Sequence, residues 1–257
     1  MTTHQVKLAT FASESGHWYD RNGNLVELID GKKPDFRNKL VRTHDLAPGI
    51  TSVMRMKSQP GLTRWLQQEA IRCALTLPRL PEEPEAAWLD RILDDSKETA
   101  KSAADTGTEI HKAIEQAYRG EPWDPAYDLH VSNVRKLLDS IAPGESWKAE
   151  GSVISPLGVG SKIDLLGSAW GVDLKGTEKS VEELRIYDNH WMQCGFYDHV
   201  RPGRRWLIVY VHRVQAWAHA IEVKRPELAK GFVLVGHCLG MWQIEKNYRP
   251  SWAQETT

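Results

Sequence analysis

Apolar residues in the stretch 51–145 recur at helical spacing, whereas those after residue 145 fall in short runs rich in β-branched and aromatic residues. Upstream, Leu25-Val26-Glu27-Leu28-Ile29 lies between the turn-forming Arg21-Asn22-Gly23-Asn24 and Asp30-Gly31, which predicts a hairpin or arm within the first fifty residues. From Thr51, the set Val53, Met54, Leu62, Trp65, Leu66 and Ile71 has helical periodicity interrupted at Pro60-Gly61, the pattern of two short helices. A Pro- and Glu-rich connector, 78–84, leads into a long helix-favouring stretch over 86–118, and an amphipathic helix is expected over 127–141. Past Pro143-Gly144 the runs 147–154, 159–166 and 170–174 read as three successive antiparallel strands. A helix over 189–200, strands over 205–213 and 216–223, and a closing helix from 226 to about 246 complete the pattern. Helices on either side of a strand group predict an α/β fold with a central mixed sheet flanked by helices, behind a helical N-terminal region.

Length favours one domain over 1–257, with an arm and helical part at 1–145 and a sheet-containing core at 146–257. The 33 basic and 34 acidic residues leave a net charge of −1, so an anionic partner would have to meet local clusters of Lys and Arg. Such clusters occur at Lys32, Lys33, Arg37, Lys39 and Arg42, at Arg201, Arg204 and Arg205, and at Arg213, Lys224 and Arg225. Trp18 and Tyr19 beside the arm are candidates for stacking on an unpaired base. No apolar run approaches the roughly 20 residues of a membrane helix, and the polar start lacks a secretory core, so a cytoplasmic protein is expected. The three cysteines, Cys73, Cys194 and Cys238, are too few and too dispersed for a disulfide framework or a four-cysteine metal site, and read as buried or idle thiols.

The residues able to carry chemistry lie in the strand group. Asp173 and Lys175, two apart on a strand, project from one side, and Asp164 on the neighbouring strand adds a second carboxylate. Carboxylates brought this close repel by on the order of 4 kcal/mol at about 4 Å unless a cation lies between them. Oxygen donors of this kind suit Mg²⁺ or Mn²⁺. A lysine alongside can orient a water and stabilise charge growing on a phosphate, the apparatus of phosphodiester hydrolysis. Glu150, upstream in the same group, offers a third acid. By itself a D-x-K triplet is as consistent with an ordinary ion pair at a strand edge.

Four motifs in order alter that balance. Gly107-Thr-Glu-Ile-His111, Gly160-Ser-Lys-Ile-Asp164, Asp173-Leu-Lys175 and Gln193-Cys-Gly-Phe-Tyr197 resemble the GxxxH, GxxD, DxK and QxxxY motifs of RecB-type nucleases of the PD-(D/E)XK superfamily, the second with one more residue between glycine and aspartate than that motif has. Thr51-Ser-Val and the later Trp65 are similar to the lead-in of phage and mitochondrial exonucleases of that group. A further departure is Gly176, which stands between the lysine and Thr177 where these nucleases place the threonine directly. The resemblance implies a Mg²⁺-dependent exonuclease acting on DNA ends in recombination, repair or phage DNA processing. Asp164, Asp173, Glu150 and His111 would then hold metal, Lys175 would assist the water, and Gln193 and Tyr197 would hold the lysine region or a phosphate. A single-strand annealing or single-strand-binding protein is the partner such an enzyme would have, and the lack of four cysteines sets the chain apart from iron–sulfur members. Gly107 is expected to allow close backbone approach on the face that carries His111. An endonuclease of the same fold and a catalytically silent binding protein are the rival readings.

Overall fold

In the computed structural model, which describes residues 16–149 and 151–254 apart from the side chains of Ala100 and Ala103, the arm is a hairpin of β1 (Trp18–Tyr19) and β2 (Leu25–Val26). Asp20 closes its turn by accepting from the N–H groups of Asn22 and Asn24 at 2.8 and 2.9 Å, and Gly23 supplies the positive φ of +86°. After α1 (Leu40–Thr43), β3 (Ala47–Pro48) pairs with the other edge of β1. The short α2 (Ile50–Met54) precedes α3 (Pro60–Thr76), which runs for 17 residues. The second of the two expected short helices is therefore long. Pro60 starts it instead of interrupting it, because the first helical turn needs no N–H from that position.

The predicted long helix is α4 (Glu85–Arg119), ended by Gly120 at φ +73°, and α5 (Asp128–Ile141) follows. Two of the three expected strands are each broken in two. Residues 147–154 yield β4 (Lys148–Ala149) and β5 (Ser152–Ser155), and residues 159–166 yield β6 (Val159–Lys162) and β7 (Leu165–Leu166). β5 and β6 form a two-stranded hairpin of their own, while β4 and β7 join the main sheet. The central strand β8 (Trp170–Thr177) reaches three residues beyond its predicted end. Next come α6 (Asp188–Val200), β9 (Arg205–His212), β10 (Ala218–Val223) and α7 (Arg225–Lys246).

The main sheet has the order β10-β9-β8-β7-β4, with β8 and β9 parallel across α6 and the other neighbours antiparallel. It is the central mixed sheet flanked by helices that the pattern predicts. On one face, Ile110, Ile114, Val134 and Leu138 of α4 and α5 pack against Val172, Leu174, Leu207 and Val209. On the other, Ile50 and Val53 of α2, Phe196 and Tyr197 of α6, and Leu239 and Trp242 of α7 form a core with Ile208 and Tyr210. Among the described residues, no helix is long and apolar enough to cross a membrane.

Glycine sets how closely α6 and α7 approach. A Cβ on Gly195 would lie 2.5 Å from the Leu228 carbonyl oxygen, and one on Gly231 would lie 2.6 Å from that of Trp191. Gly107, by contrast, faces open space, with nothing within 4 Å of a built Cβ, so its expected close approach is absent. Gly195→Ala should therefore destabilise the fold by about 1–3 kcal/mol, since backbone cannot yield as a side chain can. Gly107→Ala should stabilise it by roughly 0.5–1 kcal/mol through helix propensity. Urea unfolding of both variants checks the contrast, and equal effects would contradict this account of the helix packing.

Candidate active site

Asp173 and Lys175 lie on the central strand, paired in register with Ile208 and Tyr210 of β9, and so face the α6 side of the sheet. The Asp173 side chain is 1% exposed and that of Lys175 is 23% exposed, with Lys175 Nζ 2.7 Å from Asp173 Oδ2. Burial pushes the Asp173 carboxyl above the usual carboxylate range, and the adjacent lysine only partly offsets this. For Lys175 burial favours the neutral amine, yet Asp173 and Asp164 together outweigh it and hold the ammonium above its ordinary value.

Asp164 is not on a strand, contrary to the expectation, but in the break between β6 and β7. The reason is visible in the ladder. β7 pairs with β8 only at Leu165↔Val172 and Leu166↔Gly171, which leaves the rest of that edge of β8 without a strand partner. Asp164 Oδ2 takes the place of the missing carbonyl by accepting from the Leu174 N–H at 2.7 Å. Burial pushes its carboxyl up to about 6 against the pull of Lys175. The glycine of the same motif has a packing cause: a Cβ on Gly160 would fall 2.2 Å from the Tyr19 ring.

Gln193 and Tyr197, one turn apart on α6, link the lysine to the opposite strand. Lys175 Nζ donates to Gln193 Oε1 at 3.2 Å, Gln193 Nε2 donates to the Tyr197 hydroxyl at 2.5 Å, and that hydroxyl donates to the Lys162 carbonyl at 2.9 Å. It also lies 3.5 Å from Asp173 Oδ1. His111, half-buried on α4, interacts electrostatically with Lys175, Asp173, Glu115 and Lys162. Burial, helped by repulsion from Lys175, pushes its imidazole down to about 4, so it is neutral at pH 7. Glu150 lies outside the described residues.

Three residues that the motifs did not single out stand beside these. Glu115, one turn beyond His111, is buried and ion-paired to Lys162 and Arg119. The signal available was the four-residue spacing from His111, which places Glu115 on the same face of α4. One other expectation fails. Trp18 and Tyr19 are each 3% exposed and unavailable to a base, with Trp18 packed on Phe36 and Trp242. Within the basic clusters, Arg42 donates to the Lys246 and Asn247 carbonyls, and Arg205, Arg213 and Arg225 pair with Glu222, Glu178 and Asp198.

Could this site hold a divalent cation? Among the described residues, no three His, Cys, Asp or Glu side chains gather closely enough to be a metal cluster. Asp164 and Asp173 nonetheless fit one as hard oxygen donors, and Asp173 Oδ2 is buried without a hydrogen-bond partner although an ammonium lies beside it. The three cysteines are buried and free.

No family model matches the chain, and no curated protein matches it. Among solved structures, the chain is similar to the exonuclease LHK-Exo in complex with dAMP, with 16% identity over 52% of this chain and 78% of that one, at a TM-score of 0.37. It is likewise similar to the alkaline exonuclease LHK-Exo from Laribacter hongkongensis, with 15% identity over 72% and 95% of the two chains, at a TM-score of 0.36.

His190, near the site on α6, gives a pH test. Its Nδ1 is 2.9 Å from the Tyr210 hydroxyl, which itself donates to the Arg185 carbonyl, and burial together with the Lys175 charge pushes it down to about 3. Below its unfolded value of about 6.5 the unfolded chain takes up a proton that the folded chain refuses. Unfolding free energy of the wild type should therefore fall relative to His190→Gln by about 1 kcal/mol per pH unit from pH 6.5 towards 4, a little under the full linkage slope because the ring is partly exposed. Parallel stability curves for the two proteins would show that the ring takes up its proton equally in both states.

Proposed function

We propose that the chain is a Mg²⁺-dependent DNA exonuclease, hydrolysing phosphodiester bonds from DNA ends. The observation that carries this reading is the convergence of Asp164, Asp173 and Lys175 on one buried site on the central strand, with Lys175 held by Gln193 and Tyr197. The exonuclease half of the proposal rests on the order along the chain of the four motif-like segments that begin at Gly107, Gly160, Asp173 and Gln193.

Asp164 and Asp173 would hold the cation, with Glu150 as a third acid and His111 as a neutral nitrogen donor to it or hydrogen-bond partner of the phosphate. A divalent cation supplies polarisation of the phosphodiester and a lowered pKa for water. Lys175, kept protonated by its carboxylate neighbours, donates hydrogen bonds to the attacking water or to a phosphate oxygen, and so stabilises negative charge as it develops. Gln193 fixes the ammonium by accepting one of its protons, which leaves the others aimed at the carboxylates and the substrate. The fold around this site excludes bulk water from Asp173, which strengthens each of these interactions.

Digestion of end-labelled linear DNA and of closed circular DNA in Mg²⁺ tests the reading. Linear DNA should be consumed and circles spared, chelation by EDTA should abolish the activity, and Lys175→Ala and Asp173→Asn should each lower the rate at least about a hundredfold. Cutting of circles would replace the exonuclease with an endonuclease, and DNA binding without cleavage would replace it with a silent binding protein.

A further inference from the structure

Glu115, Lys162 and Arg119 form a second charged cluster beside the acidic centre, and the hydrolysis proposed above does not use it. Glu115 is 8% exposed, and its Oε2 accepts from Lys162 Nζ and, at 3.3 Å, from Arg119 Nη2. The two cations, in contrast, keep 40% and 39% of their side chains exposed. A buried carboxylate is costly unless compensated, and one cation would suffice for a tie between α4 and β6. Here there are two, each gripped from inside and open outside.

Position gives this arrangement a use. Lys162 precedes Asp164 by two residues, roughly 7 Å of extended chain. His111, Glu115 and Arg119 follow one another at four-residue spacing along α4, about 6 Å per step, past the same centre. Both Asp164 and His111 feel the charges of Lys162 and Glu115. The acidic pair repels a nucleic-acid backbone, and Lys175, which also bonds Asp173 and Gln193, offsets only part of that repulsion. Cations poised next to it would offset that repulsion, and side chains already ordered lose less freedom on meeting a phosphate.

We propose that Lys162 and Arg119, held by the buried Glu115, form a phosphate-binding subsite for the DNA strand, engaging a phosphodiester adjacent to the one cleaved. This inference rests on the nuclease reading and adds to it the residues that seat the strand. Glu115 acts as a positioning residue, through the two cations.

The test is equilibrium binding of fluorescent single-stranded and duplex oligonucleotides in Ca²⁺, with the DNA verified intact, across a series of salt concentrations. Lys162→Ala and Arg119→Ala should each weaken binding and reduce the slope of log affinity against log salt by about 0.9 on duplex or about 0.7 on single strands. Lys162→Arg should restore the slope, which a purely structural tie between α4 and β6 would not require. Should Lys162→Ala not fold, Arg119→Ala carries the measurement, since Lys162 still neutralises Glu115 there. Wild-type binding with slopes unchanged in the variants overturns the subsite and leaves the nuclease reading standing. Failure of the wild type to bind DNA overturns both.

Discussion

An aspartate carboxylate and a lysine ammonium side by side inside a sheet are the feature around which the rest of this molecule is arranged. With Asp173 1% exposed and Lys175 Nζ 2.7 Å away, each charge has given up most of its water. The effective cost is several kcal/mol per ion, and a well-packed apolar pair in the same place would often stabilise the fold as much or more. Removing either partner alone would leave an uncompensated charge, at about 3–5 kcal/mol. Stability therefore does not explain the pair. The hydrolysis proposed here would use a carboxylate and a cation in such a dry, fixed geometry.

Fixing the geometry falls to neighbours that contribute no chemistry. Gly160 lets the Tyr19 ring lie on the β6 backbone, Gly171 admits the Trp206 ring, and Gly195 with Gly231 draws α7 against α6. The last contact sets the depth of α6, and with it the positions of Gln193 and Tyr197. From there the hydrogen bonds run from Lys175 through Gln193 and Tyr197 to the Lys162 carbonyl, so one chain of hydrogen bonds joins the lysine, the helix and the strand preceding Asp164. The Asp164 carboxylate closes the circuit from the other side, on the N–H of the residue between Asp173 and Lys175.

The long elements were legible in the sequence because their signals are local. Gly120 ends α4, Asn22-Gly23 turns the first hairpin, and the β-branched runs mark β8 and β9. The breaks were not legible, because they obey a non-local cause. Residues 159–166 alternate as one strand would, but the chain must leave its pairing with β5 at Lys162 and take up β8 at Leu165. Asp164 fills the gap this creates. Likewise Pro60 has the same appearance in a sequence whether it begins a helix or stops one, and only the helical run to Thr76 decides it. Asp173, Lys175, Gln193 and Tyr197 could be read as a set from their spacing and motif order. Glu115 and Lys162 could not be paired, being 47 residues apart with no pattern to join them.

Charge balance connects the parts. Without a ligand, the carboxylates of Asp164, Asp173 and Glu115 stand against Lys175, Lys162 and Arg119, each acid within reach of at least one cation. A balanced interior of this kind is stable at rest but offers no net attraction to an anion. A phosphodiester arriving at Asp164 and Asp173 adds negative charge where two carboxylates already repel it. It can be held only if positive charge arrives with it or is turned towards it. The oxygen donors of the two aspartates suit a hard divalent cation for the first role, and the half-exposed Lys162 and Arg119 are the cations proposed for the second. On this view the buried Glu115 is as necessary as the acids it resembles: it lets two cations stand beside the centre without pairing with Asp164 and Asp173 and occupying the place a metal would take.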